Sequence, residues 1–187
     1  FIESCKKISY LFPRAHAVAY VMMAFRIAWF KVYHPLAFYA AYFSIRAKAF
    51  DLRIMTGDLK TQMSEFSRIK ALDRAASPKD KDLMSALEVS MEMYQRGYRF
   101  VNVDIQHSEA RRFSIKDGAL LPPFLAIDSL GETVADAIVA EREERPFTSL
   151  KDLQRRCKVS NTIIDLMKEL KCCGELPEDE QMSLFGA

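Results

Sequence analysis

The sequence predicts a mainly α-helical protein with one small β hairpin. Two features predict this class: long apolar runs that contain neither Gly nor Pro, and an Asp-Gly turn between two short apolar stretches. The chain has 187 residues, of which 50% are hydrophobic and 28% are charged, as is ordinary for a globular protein. This length allows one sizeable core or two small domains.

The first two predicted helices are the most hydrophobic part of the chain. A Pro, which suits the first position of a helix, opens each of two runs without further Gly or Pro, and these predict helices over residues 13–33 and 35–48. Both are apolar on nearly all sides, so we expect them to be buried within a large protein. A membrane span is not expected, because Arg26 and Lys31 leave no uncharged stretch of the ~18 residues that a span needs.

Two further helices are predicted before Gly97. One covers residues 58–76. The next follows Ser-Pro-Lys-Asp at residues 77–80, which supplies a cap, a Pro at the first helical position and an early acid, and it ends before Gly97. The nearby carboxylates Asp80 and Asp82 are therefore interpreted as part of a helix start and not as a metal site.

The pattern changes from helix to strand after Gly97. Apolar residues between 98 and 105 predict a short strand, and residues 113–121 predict a hairpin with Asp117 and Gly118 at its turn. Short helices joined by tight turns are expected from residue 124. The predicted regions are residues 1–97 as a helical portion, 98–123 as a hairpin connector, 124–174 as a region of short helices, and 175–187 as an acidic, flexible tail.

Charge and cysteine content limit the function classes. The net charge is only +2, so binding to nucleic acid must rely on local patches or on backbone donors. The cysteines Cys5, Cys157, Cys172 and Cys173 lack the spacing of zinc ligands, which favours reduced thiols packed as small apolar groups. The first residues lack the pattern of a signal peptide, so we expect a cytoplasmic protein.

The start of the first predicted helix combines a cation, an imidazole and an aromatic ring. Arg14 and His16 lie in its first turn, where unpaired backbone N–H groups and the helix dipole favour an anion. Tyr20 follows His16 by four residues and shares its face. These groups could hold a triphosphate and stack beside its base. Alternatively, His16 and Tyr20 are core residues with satisfied polar tips.

Three stretches of the N-terminal part form a family pattern. They are Lys6-Lys7-Ile8-x-Tyr10-x-Phe12-Pro13-Arg14-Ala15-His16-Ala17-x-Ala19-Tyr20-Val21, Phe30-Lys31-Val32-x-His34-Pro35 and Tyr42-Phe43-x-Ile45-Arg46-Ala47. The pattern resembles the fingers of the C-family DNA polymerases, and most closely the PolC-type α subunit of DNA polymerase III from Gram-positive bacteria. The similarity extends over essentially the whole chain, which would be the C-terminal region of such a subunit.

The resemblance implies roles for the residues that match it. Arg14 and His16 would face the phosphates of a deoxynucleoside triphosphate, with Phe12 and Tyr20 near its base. Lys6 and Lys7 would contact the template–primer DNA. Arg14 departs from the family pattern, which more often has Lys there, so the contact geometry could differ. The Mg²⁺ ions of the whole enzyme would be held by carboxylates of the catalytic palm, outside this sequence.

Residues 124–143 are similar to a helix–hairpin–helix motif. Leu130 would fill the turn, Gly131 would let the backbone bend, and the next helix would begin at about Glu132, with Val134 and Ile138 on its buried stripe. N–H groups at that helix start can bind a DNA phosphate without reading sequence. The expected DNA contacts are Ser129, Leu130, Gly131, Glu132 and Thr133. Motifs of this kind usually have two glycines at the turn, and Ser129 replaces the first, so a purely structural helical unit is the alternative.

A second unit of the same kind is predicted over residues 147–174. Its turn, residues 158–161, contains no glycine, so the unit could mainly support the first, with Lys158 as a candidate DNA contact. Residues 130–173 contain eight Lys or Arg and eight Asp or Glu, so the two units together are not electropositive.

The last residues predict attachment to the replication sliding clamp. Gln181-Met182-Ser183-Leu184-Phe185 resembles the pentapeptide by which many bacterial proteins bind that ring, with Met182 in place of Leu. It follows a Pro-containing acidic segment that is not expected to fold. The alternative is that Leu184 and Phe185 pack on this chain's own core.

We therefore expect part of a replicative DNA-directed DNA polymerase that contributes nucleotide binding, duplex binding and clamp attachment. The alternative is a non-catalytic DNA-binding adaptor that recruits the clamp. Paired aspartates in the coding sequence before Phe1 would distinguish the polymerase from the adaptor.

Overall fold

The computed structural model describes Glu3 and residues 14–179, and these residues form a mainly helical fold with one two-stranded antiparallel sheet. The elements are α1 (Arg14–Tyr33), α2 (Pro35–Ile45), α3 (Leu52–Met55), α4 (Leu59–Ala71), a 3₁₀ turn (Asp73–Ala75), α5 (Pro78–Gln95), β1 (Ser114–Lys116), β2 (Ala119–Leu121), a 3₁₀ turn (Phe124–Ala126), α6 (Glu132–Glu144), α7 (Leu150–Cys157) and α8 (Asn161–Glu169). The predicted fold class is confirmed.

The helix starts follow from local capping. Asp80 N donates to Ser77 Oγ at 3.1 Å, and Asp80 Oδ2 accepts from Ser77 N at 3.0 Å, so the predicted cap of α5 is confirmed as a reciprocal capping box. Helix α3, a single turn capped by Asp51, was not predicted. Helix α4 is shorter than predicted, because the chain leaves the α-helix after Ala71 and continues as a 3₁₀ turn.

The β hairpin forms where it was predicted. Ile115 pairs with Leu120, and both turn residues have positive φ, 51° at Asp117 and 74° at Gly118. Two such residues define the turn whose twist matches that of the strands, which is why Asp-Gly favours it.

The strand predicted over residues 98–105 is wrong. Within it only Phe100 forms an isolated bridge, to Leu120. Side chains interrupt further pairing: Asn102 donates to Leu170 O and accepts from Val103 N, and Asp104 accepts from Gln106 N at 2.8 Å. These bonds turn the backbone into a loop before a sheet ladder can develop.

Two hydrophobic clusters lie side by side. The first joins α2, α4 and α5 to the hairpin, and its centre is aromatic, with the rings of Phe43 and Phe100 4.9 Å apart. The second contains α6, α7 and α8 together with Leu52 from α3. Phe50 packs against both clusters, so the segment between α2 and α3 joins the two halves of the fold.

Helix α1 stands apart from both clusters. Its apolar side chains are exposed, Phe25 at 72%, and within the described chain it is held at its end, where Lys31 Nζ lies 2.7 Å from Glu92 Oε2. The burial that we expected for α1 is therefore not supplied by the described residues. By length and composition alone the stretch Ala15–Tyr33 could cross a membrane.

The acidic segment expected to be flexible from residue 175 is in part fixed. Leu176 packs against the second cluster, and Pro177 O accepts from Leu150 N at 2.9 Å. Lys168 Nζ lies 2.7 Å from a carboxylate oxygen of Glu178. The start of α7 has unpaired amides that this segment satisfies, which is why it docks there.

Candidate nucleic-acid interface

Two hairpins of the same backbone geometry lie before α6 and α8. In the first, Ser129 is left-handed with φ 62° and Leu130 is buried, and Gly131 caps α6 with an extended backbone. In the second, Lys158 is left-handed with φ 55° and Val159 is buried, and the cap of α8 is again extended. The repeat of a left-handed residue, a buried residue and a cap supports two helix–hairpin–helix units.

The first hairpin differs in two ways from the sequence prediction. The element before it is only the 3₁₀ turn Phe124–Ala126, not an α-helix. The bend is made by Ser129, since Gly131 has φ −74° and ψ 155°, which any residue can adopt. The expectation that Gly131 provides the bend is therefore wrong.

Gly131 instead keeps the start of α6 open. A Cβ atom placed on it would meet nothing within 4 Å. Among the residues that the structure describes, none accepts a hydrogen bond from the amides of Gly131, Glu132 or Thr133. These donors lie on exposed residues at the positive end of a helix, which is a geometry that binds a phosphate oxygen.

In the second hairpin, a side chain of the hairpin itself caps the start of the helix. Ser160 Oγ accepts from Ile163 N at 3.3 Å, which uses one of the donors that α8 offers. Lys158 is exposed at the turn, where it was predicted. This unit therefore offers one cation, and its cap carries a side chain where the first unit has glycine.

Arg111 pairs with two acids beside the first hairpin, a contact that the sequence did not predict. Its guanidinium contacts Glu132 Oε2 at 2.6 Å and Asp136 Oδ1 at 3.0 Å. These hydrogen bonds hold the pKa of Asp136 below its usual range. One guanidinium thus offsets part of the negative charge of two carboxylates that would repel a phosphate. The sequence signal was the pair of arginines directly before the hairpin strand, far along the chain from α6.

The arginines of α7 form ion pairs with acids of this chain. Burial raises the pKa of Asp152, but hydrogen bonds from Arg155, the Thr148 amide and Arg156 outweigh this effect and hold it below its usual range. The guanidinium of Arg156 also lies over the ring of Phe147, 4.7 Å from its centroid. These cations stabilise the helical unit, so they are not the main hydrogen-bond donors to a DNA phosphate.

The predicted nucleotide-binding residues lie far from the hairpins in sequence, at the start of α1. His16 and Tyr20 share a face, with ring centroids 4.4 Å apart in an edge-on arrangement. Tyr20 is 65% exposed, so it is not a core residue of the described chain. The backbone of α1 begins at Arg14.

Several predicted site residues lie outside the described residues. They are Lys6, Lys7 and Phe12 of the N-terminal pattern, and Gln181, Met182, Ser183, Leu184 and Phe185 of the clamp-binding pentapeptide.

Metal ligands and reactive thiols do not explain the site. Among the described residues no three His, Cys, Asp or Glu side chains group as metal ligands, and Asp80 is used in the cap of α5. Burial raises the pKa of Cys172 to about 12, so this thiol is protonated and packs as a small apolar group.

Comparison with known proteins agrees with this geometry. A family described as "Helix-hairpin-helix motif" matches residues 97–181. The chain is 49% identical over 185 residues to a protein named "DNA polymerase III PolC-type" from Caldanaerobacter subterraneus subsp. tengcongensis. It is 50% identical over 188 residues to one of the same name from Streptococcus suis, and 47% identical to one from Streptococcus pyogenes. Each match covers 99% of this chain but only 13% of the relative's length. The predicted resemblance is confirmed.

Proposed function

We propose that this chain, which is homologous over 99% of its length to PolC-type DNA polymerase III, is a segment of such a replicative polymerase and holds its template–primer duplex. In the whole enzyme it would support template-directed nucleotidyl transfer in the cytoplasm. Mg²⁺ would be bound by residues outside this chain. The relatives are several times longer than this chain, which leaves room for such a catalytic part.

The observation that carries the duplex-binding proposal is the open start of α6. Three amides without acceptors in the described chain lie at Gly131 and the two residues after it, and Arg111 pairs with Glu132 and Asp136, which weakens their repulsion of a phosphate. Backbone donors contact phosphates of any sequence. This suits a polymerase, which must hold every duplex that it makes.

We further propose that α1 contributes to binding the incoming nucleotide. Arg14, His16 and Tyr20 lie at one end of this exposed helix. Eleven of its large apolar side chains are 49–72% exposed, and apolar side chains grouped in this way mark an interaction surface, so other parts of the longer polypeptide would cover it. The end with the cation and imidazole would then face the active site.

Clamp attachment through residues 181–185 is also a proposal. It is supported by the pentapeptide pattern and by the anchoring of the residues before it. Lys151 makes an ion pair with Asp179 and Lys168 one with Glu178, which fixes the segment to α7 and α8. A clamp bound two residues further along would lie beside the duplex-binding unit and would encircle the same DNA.

Replacement of Gly131 by Val in the whole polymerase tests the duplex-binding proposal. The Val side chain would occupy the space in front of the amides, and loss of a charged hydrogen bond of ~1.5–3 kcal/mol would weaken duplex binding roughly ten- to a hundredfold, whatever the sequence. Val is a poorer helix cap than Gly, so stability should fall by less than about 1 kcal/mol. Equilibrium binding to duplexes of several sequences would measure the effect.

A control variant separates this local effect from a general one. Ala71→Val adds similar bulk at an exposed helix end and should leave duplex affinity unchanged. If Gly131→Val also leaves affinity unchanged, the hairpin is only a packing unit.

A further inference from the structure

A cleft separates the first hydrophobic cluster from the first hairpin. It consists of two adjoining cavities of ≈ 340 and ≈ 600 Å³, which share Phe50, Lys79, Leu125 and Asp128 in their walls. The smaller cavity is also lined by Ser129 and Leu130, so one end of the cleft opens at the hairpin. The larger one extends to Lys48. We call the two cavities together the hairpin cleft.

Two lysines of the hairpin cleft are not used by the fold. Lys48 and Lys79 are exposed, and neither has a hydrogen-bond or ion-pair partner among the described residues. The other cations there are occupied: Arg53 lies 2.9 Å from Glu169 Oε1, and Arg111 binds acids of α6. Three acids also line the cleft, Asp51, Asp82 and Asp128, and Asp51 accepts from Ile54 N at the start of α3. The unpaired positive charge is therefore confined to the two lysines.

The lining suits a sugar–phosphate strand. Apolar groups of Phe50 and Leu125 form part of the wall, against which deoxyribose can pack, while lysine ammonium groups at the rim can reach phosphates. A strand whose phosphate is held by the amides of α6 has its next phosphates within a few ångströms along the helix axis, because each strand carries one about every 3.4 Å. The hairpin cleft reaches Ser129 and Leu130, which directly precede those amides in the chain.

We propose that the hairpin cleft binds the phosphodiester backbone of DNA, with Lys48 and Lys79 contacting phosphates adjacent to those held by the first hairpin. This proposal rests on the duplex binding by the hairpin proposed above. It extends the contact from α6 across to α5 and the α2–α3 segment. One DNA strand would thereby hold the two hydrophobic clusters in a fixed relation.

Lysine footprinting of the whole wild-type polymerase tests the site without a substitution. An amine-reactive acylating reagent should modify Lys48 and Lys79 in the free enzyme, and a bound primer–template duplex should protect them. Lys60, which is exposed on α4, is the internal control and should react equally in both states. If Lys48 and Lys79 are already protected in the free enzyme, another part of the polypeptide fills the cleft and the proposal is wrong. Equal reactivity with and without DNA also overturns it.

The salt dependence of duplex binding supplies a second measurement. The Lys48→Ala, Lys79→Ala double variant should reduce the slope of log affinity against log salt by ~1.8, which at 0.1 M salt implies roughly a sixtyfold loss of affinity. The Lys→Arg pair should keep the slope, and Lys60→Ala should not alter it. An unchanged slope in the double variant would overturn the cleft proposal.

The hairpin variant distinguishes the two proposals. If Gly131→Val weakens duplex binding but the Lys48→Ala, Lys79→Ala double variant does not, the hairpin contact stands and the cleft contact fails. If the double variant weakens duplex binding and Gly131→Val does not, the amide contact fails. The proposal that the lysines contact phosphates next to those held by the amides then fails with it. Phosphate ethylation interference should place the lysine contacts next to the hairpin contacts, and a distant location would refute the continuous track.

Discussion

Leu130 offers a direct test of how the first hairpin is held in shape. Its side chain is 5% exposed and belongs to the same cluster as Ala135 and Ile138 of α6. Its amide donates to Ile127 O at 3.2 Å, which closes the turn. The buried side chain and this bond together fix the direction of the amides that follow.

Leu130→Ala should destabilise this turn, and the free-energy cost depends on how closely the side chain is enclosed. Leu→Ala changes in enclosed cores cost about 2.7–5 kcal/mol, but Leu130 also lines the open hairpin cleft, so water can enter the space. We therefore expect ~2–3 kcal/mol, near the lower end. This free energy corresponds to roughly thirty- to a hundred-and-fiftyfold faster amide exchange wherever exchange requires the unit to open.

Hydrogen exchange of the whole polymerase, followed in peptides that cover residues 127–144, measures this change. Leu130→Met keeps the volume and should cost less than about 1.5 kcal/mol, with duplex affinity retained. Ile115→Ala truncates a half-exposed side chain of the β hairpin and should leave exchange in α6 unchanged. Unaltered exchange in Leu130→Ala would refute the role of this residue in the turn.

The two remaining predictions concern the ends of the chain. Replacement of Arg14 or His16 by Ala in the whole polymerase should raise the nucleotide KM roughly thirtyfold, from loss of a charged hydrogen bond of ~2 kcal/mol, and should affect DNA affinity less. Steady-state kinetics with unchanged KM and turnover in both variants would contradict this. The Leu184→Ala, Phe185→Ala double variant should lose roughly thirty- to a thousandfold in clamp affinity, because an anchoring aromatic contributes ~2–4 kcal/mol. Processive synthesis on long templates should fail while incorporation on short primed ones persists, and full clamp binding to immobilised enzyme would exclude the pentapeptide as the contact.

Capping and turn chemistry were readable from the sequence because they act over a few residues. The cap at Ser77 and the Asp117-Gly118 turn formed as predicted, since their hydrogen bonds and backbone angles depend on neighbours in the chain. The strand predicted near residue 100 failed for the opposite reason. Asn102 bonds to Leu170, 68 residues away, and no local pattern shows that partner.

The sequence by itself determined the helical class, the hairpin, the two helix–hairpin–helix units and the family resemblance. The tertiary structure decided which residue bends the first turn, since Ser129 takes the left-handed conformation and leaves Gly131 extended. It also decided that Arg111 pairs with two acids of α6, that Lys48 and Lys79 line one cleft, and that the other described residues leave α1 uncovered. Local propensities act through adjacent residues, whereas charge pairing and burial depend on which distant segments the packing brings together.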